Sequence, residues 1–552
     1  MRKLFIILLC CTAALLGAYA GYRGYKIWKQ SHMISLARGF IAKKDGRNAM
    51  LSLNEALRSN PRNVEATRLM AELTEAAGLP ASLIWRGRVV ELNPGSTDDR
   101  LALARAAIGA HDLISATNAL AGVSETGKST VGFHNLAGGL AAMMGRQEEA
   151  QAHFLEASRL QPTNPAPQLN LAVMRLHSTN DMVLNEARTA LGRLRSHPSV
   201  RCQAIRELVG DAARFNRTND ALALSKELIQ QTNCLFTDHL LRLDVLRASK
   251  APEFKPALQA LQLEAATNAL KTTGLASWEI AKLGPAEGLA WLQSLPAASR
   301  TNQAVALLTA DCFSLLKDWR NLQASVQRQN WGDLEFVRHA YLARAMRGQD
   351  LTSSAKTEWE QAFKMASARE QTLVMLLRLA GQWNWRSEGE DLLWSIVNQY
   401  PNERWAVQAL TQALYLGGRT RPLMGLFSQQ AKTHPSDLAI KNNLATAALL
   451  LEAKEFNPHE LAREVFTKAP TNASFASTYA YSLLVQKKPA DALRLMEQFS
   501  SKDLENPAIA GYYGVILQAS GNREKARQYL DLALKSLLLP EERKLFEKAR
   551  GT

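Results

Sequence analysis

Apolar residues recur along this chain at helical spacing, in short stripes separated by polar turns. Between Gln30 and Asn63, Met33, Leu36, Ala37 and Phe40 form one stripe, and Met50, Leu53, Ala56 and Leu57 form the next. Two short helices with a break at Lys43 to Arg47 account for that pattern. The same alternation returns with breaks at Gly145 to Gln147 and Gly521 to Arg523, and a proline stops the second helix at Pro61, Pro94, Pro162, Pro401 and Pro435. No segment sustains the period of two that a half-buried strand requires, so the pattern predicts an all-α chain.

Small residues give the alternation a fixed period. In Val131 to Asn164 they are Gly138, Ala150 and Ala157, and the triplet reappears as Ala37, Ala49 and Ala56, as Ala343, Ala355 and Ala362, and as Gly514, Ala526 and Ala533. The clearest copy is 34 residues long, a length that marks stacked helix pairs. An Ala or Gly midway along each helix lets two backbones approach closely, whereas a larger side chain would splay the pair. With Phe154 and Leu530 in its aromatic or aliphatic place, the motif resembles the tetratricopeptide repeat family. The resemblance is good in the copies beginning near Gln30, Val131, Phe336, Ala473 and Pro507 and looser elsewhere. Ala310 lacks its small partner because Leu322 occupies the place.

The family resemblance implies a solenoid of antiparallel helix pairs wound as a right-handed superhelix, with roughly fifteen units fitting the length. The expected organisation is an N-terminal segment over 1–29, a first solenoid half over 30–250, degenerate repeats and a bend over 251–300, and a second half over 301–550. Four prolines and short apolar runs set the 251–300 stretch apart.

Leu4 to Tyr22 is an uncharged, mostly apolar run preceded by Arg2 and Lys3 and followed by Arg23, Lys26 and Lys29. A helix needs about 20 residues to span a bilayer, so the run is expected to be a single-pass transmembrane anchor. Tyr19, Tyr22, Tyr25 and Trp28 form an interfacial aromatic belt beside it. Ala18-Tyr19-Ala20 is the alternative, a cleavage site for an export signal. The flanking charges are nearly balanced. A bacterial inner-membrane location with the repeats outside the cytoplasm is the expected arrangement, the cytoplasmic side remaining open.

Composition narrows the chemistry. After Cys10 and Cys11 only Cys202, Cys234 and Cys312 remain, widely spaced and without a Cys-x-x-Cys pair, and the odd count argues against a disulfide framework or a thiolate zinc site. Histidines are scattered and no nucleophile elbow occurs, so neither a metal, a cofactor nor catalysis is expected. Gly122 to Ser129, GVSETGKS, matches the phosphate-loop spacing. The residues before it, Leu113, Ala116, Leu120 and Val123, recur at helical intervals, so the strand that loop chemistry requires is missing and a nucleotide-binding reading is a distant third. A formal net charge of +15 favours an acidic partner or an anionic surface. Dispersed basic residues and the lack of a recognisable module argue against nucleic acid.

Binding is therefore expected on the first helix of each pair. The residue three before the small one and the residue just after it share a stripe. That stripe yields Arg38, Arg105, Asn135, Arg344, Arg378 and Asn442, whereas other units offer Gly139, Val173, Thr446 and Tyr481 there, so no uniform ladder exists. In the family this face lines the ligand groove, which implies a non-catalytic, membrane-anchored scaffold for a protein or peptide, in cell-envelope assembly or export. A glycan-guiding superhelix in polysaccharide export is the alternative. Nine of the eleven tryptophans lie between Trp278 and Trp405, and Trp331, Trp394 and Trp405 are the candidates for an aromatic platform. The core explains Trp359, and Trp319, Trp383 and Trp385 fall at turns within units.

Overall fold

A computed structural model describes the backbone of residues 2–79 and 81–551, with side chains from residue 21 onward apart from 22 and 80. Every regular element among the described residues is a helix. The chain forms two compact units, Met1–Trp278 and Glu279–Thr552.

The turn inside each helix pair carries the period. Lys44, Gly78, His111 and Gly145 in the first unit, and Lys317, Asp350, Asn384, Gly418, Glu452, Lys487 and Gly521 in the second, all have positive φ and lie 33 to 35 positions apart. At each, the next amide reaches back to a carbonyl five residues earlier, as Asp45 to Phe40 at 2.9 Å, His111's neighbour Asp112 to Ala107 at 2.9 Å and Asn522 to Leu517 at 2.9 Å. This is the left-handed cap that ends one helix and turns the chain into the next. Side chains then start the following helices: the Asp45 carboxylate accepts from the Asn48 amide, and Asn63, Ser96 and Asn164 act alike.

The small-residue triplets are the packing contacts. Ala37, Ala49 and Ala56 have no exposed surface, nor do Ala150 and Ala157. A Cβ on Gly138 would lie 2.7 Å from the Phe154 ring, and one on Gly514 would lie 2.7 Å from Leu530, so each glycine exists to admit the aromatic or aliphatic residue of its partner helix. The first unit adds ion pairs between the first helices of neighbouring hairpins. The Arg68 guanidinium donates to Asp99 at 2.7 and 2.8 Å, and Arg206 donates to Asp238 at 2.6 and 3.0 Å. Burial alone would raise these two carboxyls, but the guanidinium donors, with the Leu235 amide on Asp238, hold both below the usual range.

In the second unit Trp319, Trp383 and Trp385 do sit at intra-hairpin turns, and Trp359 fills the second-helix core place. Leu322, which replaces a small residue, is fully buried. The segment over 251–300 is helical, as Phe254–Ala265, Ala269–Lys282, Pro285–Ser294 and Ala297–Arg300.

No helix among the described residues is long and apolar enough to cross a membrane. The expected anchor, Leu4 to Tyr22, lies outside the residues whose side chains are described. The backbone from Arg2 to Ala42 is one 41-residue helix whose later part delivers Ile34 and Ala37 to the first hairpin core. At Gly122 to Ser129 the chain runs from the helix Leu113–Ala121 into a four-residue helix, Glu125–Lys128, and Lys128 is paired to Glu125 at 2.7 Å. Gly127 packs on Thr97 and Val123, where a Cβ would approach within 2.6 and 2.7 Å, so the turn is a wedge between helices rather than a phosphate cradle.

Candidate functional site

In the second unit the first helices of four successive hairpins, Arg404–Leu416, Leu438–Leu450, Ala473–Val485 and Pro507–Ala519, line one groove. Local sequence fixes each start. The Asp437 carboxylate accepts from the Ala439 and Ile440 amides, the Asn472 side chain accepts from Ser474 and Phe475, and Pro507 follows Asn506, which accepts from Ala508. Within these helices Asn442 and Ser477 precede their small residues, Ala445 and Ala480, by three positions. Both side chains turn into a cavity of about 220 Å³, and a neighbouring one of about 490 Å³ shares Thr411, Tyr415, Phe427 and Asn443 with it.

The groove floor is polar and incompletely bonded. Thr446 and Thr478 hydroxyls meet at 3.0 Å, and Thr446 also donates to the Asn442 carbonyl at 3.0 Å. Asn442 is 5% exposed and Ser477 3%, yet the Asn442 Oδ1 and Ser477 Oγ atoms have no hydrogen-bond partner. Gln430, on the wall of the adjoining cavity, is 2% exposed with Nε2 unpaired. Buried polar atoms without partners are rare in folded chains, and three around one groove equip it to bond a polar backbone or side chain.

A closing helix, Pro540–Gly551, lies across the groove. Glu542 is buried and accepts from the Tyr512 hydroxyl at 2.7 Å, the Tyr415 hydroxyl at 3.2 Å and the Leu539 amide at 2.9 Å. Thr420 donates to Glu541. Burial and the Glu542 carboxylate push the Tyr415 and Tyr512 phenols well up, and burial pushes Tyr481 up to about 12. Tyr415 and Tyr512 are thereby held as neutral hydroxyl donors to Glu542.

Of the residues picked from the sequence, Asn442 lies in this groove, and the structure does not gather the others around it. Arg38 is exposed and paired with Glu65 at 2.6 Å. Arg105 and Arg378 are exposed, each without an ion pair among the described residues. Asn135 is half-buried with Oδ1 unpaired, next in the chain to His134, whose ring meets that of His153 Nδ1 to Nδ1 at 2.9 Å. Arg344 stands 5.3 Å from the Trp319 ring centroid, 5.4 Å from Trp383 and 5.9 Å from Trp385, so the aromatic cage those tryptophans form is filled from within. Trp331 is 2% exposed, with Nε1 donating to Gln329 at 2.7 Å; it is a core residue and offers no stacking surface. Trp394 is half-buried, and Trp405 is 39% exposed.

Sequence reasoning missed Ser477, Gln430, Tyr415, Tyr512 and Glu542. Ser477 occupies the same stripe place as Asn442 and was legible from Ala480. Gln430 lies on a second helix, outside the stripe, and Tyr415, Tyr512 and Glu542 depend on where the closing helix lands, which no periodicity encodes. Among the described residues no group of three or more His, Cys, Asp or Glu side chains has the arrangement to hold a metal ion.

No family model matches the chain, and no curated protein matches it. Several solved structures align with it. A tetratricopeptide repeat protein from Parabacteroides merdae shares 14% identity over 52% of this chain and 99% of its own, with a TM-score of 0.29. PilW, described as a widely conserved type IV pilus biogenesis factor, shares 19% over 45% and 98%, at 0.27. PilF from Pseudomonas aeruginosa shares 12% over 41% and 99%, at 0.31. Likenesses at that level carry no argument about function. The helix pairs, their left-handed turns and their buried small residues give this chain a tetratricopeptide-type fold.

Proposed function

We propose that the chain is a non-catalytic scaffold that holds a segment of a partner protein in the groove of its second unit. The observation that carries this reading is the set of buried, unpaired polar atoms on the groove, Asn442 Oδ1, Ser477 Oγ and Gln430 Nε2. A polypeptide supplies amide donors and carbonyl acceptors at the short intervals that such atoms demand. The apolar wall of Val407, Phe427 and Ile440 accommodates side chains beside them. The net charge of +15 favours an acidic segment.

The scaffold is held at a membrane by Leu4 to Tyr22, serving cell-envelope assembly or export. Support comes from the apolar run itself and from the unbroken helix Arg2–Ala42, which continues from that run into the first hairpin. Carbonate washing is expected to leave the protein in the membrane fraction, whereas a mature chain starting at Gly21 and released by washing would replace the anchor with a cleaved signal.

A photoreactive amino acid at Gln408 or Asn443, both exposed on the groove, tests the binding reading in cells. Adducts with a polypeptide are expected, and they fall at least several-fold when Asn442→Leu and Ser477→Ala remove the unpaired atoms. Adducts only with glycan or lipid, or adducts indifferent to both substitutions, would overturn it.

A further inference from the structure

The closing helix does more than cover the last hairpin. Covering requires contact with the helices just before it, and Phe546 supplies that by burying its ring against Gly511, where a Cβ would run into it. The first turn of the same helix goes further. Its Glu542 and Glu541 bond to Tyr415 and Thr420, which lie 127 and 121 residues earlier, three hairpins upstream across the groove mouth. Those bonds are surplus to covering an exposed end.

Two features mark this seat as one built for exchange. Glu542 is buried against hydroxyls and an amide, with no cation paired to it among the described residues, so the cost of desolvating its carboxylate is met by neutral donors alone. Beneath it, Asn442 Oδ1 and Ser477 Oγ remain unpaired. The helix occupies the groove without completing its hydrogen bonds, and a segment that did complete them would have the advantage.

From these observations we infer that the segment Leu537 to Gly551 is a displaceable internal occupant of the groove. The partner segment that replaces it is a helix with matching chemistry, a carboxylate in its first turn for Tyr415 and Tyr512 and an aromatic residue one turn later for the Gly511 seat, and with polar side chains that donate to Asn442 Oδ1 and Ser477 Oγ. This rests on the groove being a protein-binding site. Displacement makes that site available, so the closing helix sets the threshold a partner must exceed.

The test uses the full chain and, as probe, a fluorescent synthetic peptide of residues 535–552. A tethered segment competes at an effective concentration of the order of millimolar. The wild-type chain is therefore expected to bind the peptide at least tenfold more weakly than a chain carrying Glu542→Ala and Phe546→Ala, which frees the seat. Failure of a folded double variant to bind the peptide any better than wild type would overturn the proposal. A second comparison keeps the core intact. Thr420→Cys and Glu541→Cys, oxidised to a disulfide in a chain with Cys10, Cys11 and Cys234 replaced by Ser, should abolish the groove photo-adducts that the unjoined chain forms. Equal adducts in joined and unjoined chains would refute displacement while leaving the protein-binding reading standing. Peptide binding to the opened chain without any cellular polypeptide adduct would do the reverse.

Discussion

At the scale of single residues, the glycines separate two roles that composition merges. Gly138 and Gly139 are neighbours on one helix, yet a Cβ at the first would lie 2.7 Å from Phe154 and a Cβ at the second would meet nothing within 4 Å. Gly138→Ala is expected to destabilise by about 1–3 kcal/mol through overpacking. Gly139→Ala should instead stabilise by roughly 0.5–1 kcal/mol, because alanine has less backbone entropy to lose in a helix. Urea midpoints of the two variants check the pair, and equal shifts would mean that the helices do not meet on this face. Ala150→Leu and Gly514→Leu belong with Gly138→Ala: Ala150 has no exposed surface, and Leu530 already fills the space over Gly514.

At the scale of the helix pair, the repeat was legible because packing imposes it on the sequence. Ala37, Ala49 and Ala56 are small for steric reasons, and those reasons recur with every unit. The turn was legible only as a polar break. Its left-handed residue is Lys at 44 and 317, His at 111, Asn at 384 and Gly at 145 and 521, so the conformation repeats while the residue type does not. The chain tolerates this because the back-bonded amide, such as Asp318 to Phe313 at 2.9 Å, holds the turn whatever the side chain. A non-glycine residue in that region costs about 1–2 kcal/mol, part of which glycine returns as extra freedom in the unfolded chain. Lys317→Gly should therefore raise stability by a few tenths to about 1 kcal/mol, and Gly521→Ala, at φ 89°, should lower it by about 1 kcal/mol or more. Urea denaturation decides this too; a destabilised Lys317→Gly would show that the lysine side chain, rather than the backbone, sets that turn. The groove was legible where it follows the stripe, at Asn442, and illegible where it depends on Glu542 arriving from a helix outside the repeat pattern.

Across the whole molecule, particular carboxylates of the two units are shifted in opposite directions. Asp99 and Asp238 in the first unit are held below the usual range by Arg68 and Arg206. A depressed folded value contributes stability that is present above the unfolded value of about 4 and is lost as pH falls through the folded one. In the second unit burial raises the Asp311 carboxyl despite its bond from Tyr341. Raised values have the opposite consequence: protonation relieves the folded state, so acid removes a cost there. Glu335 and Glu464 are depressed in the second unit, but their side chains are 23% and 36% exposed and their share is correspondingly screened. Lowering the pH from 7 towards 3 should therefore unfold Met1–Trp278 before Glu279–Thr552. Tryptophan separates the two events, because only Trp28, Trp85 and Trp278 fall in the first unit while the other eight lie in the second. Far-ultraviolet circular dichroism, which reports helix from both, should begin to fall at a higher pH than tryptophan fluorescence. Substituting Asp238→Asn should move the circular dichroism transition and leave the fluorescence transition in place. Coincident transitions in the wild-type chain, or a shift of both in the variant, would show that the two units unfold as one and that the buried arginine pairs do not govern acid stability.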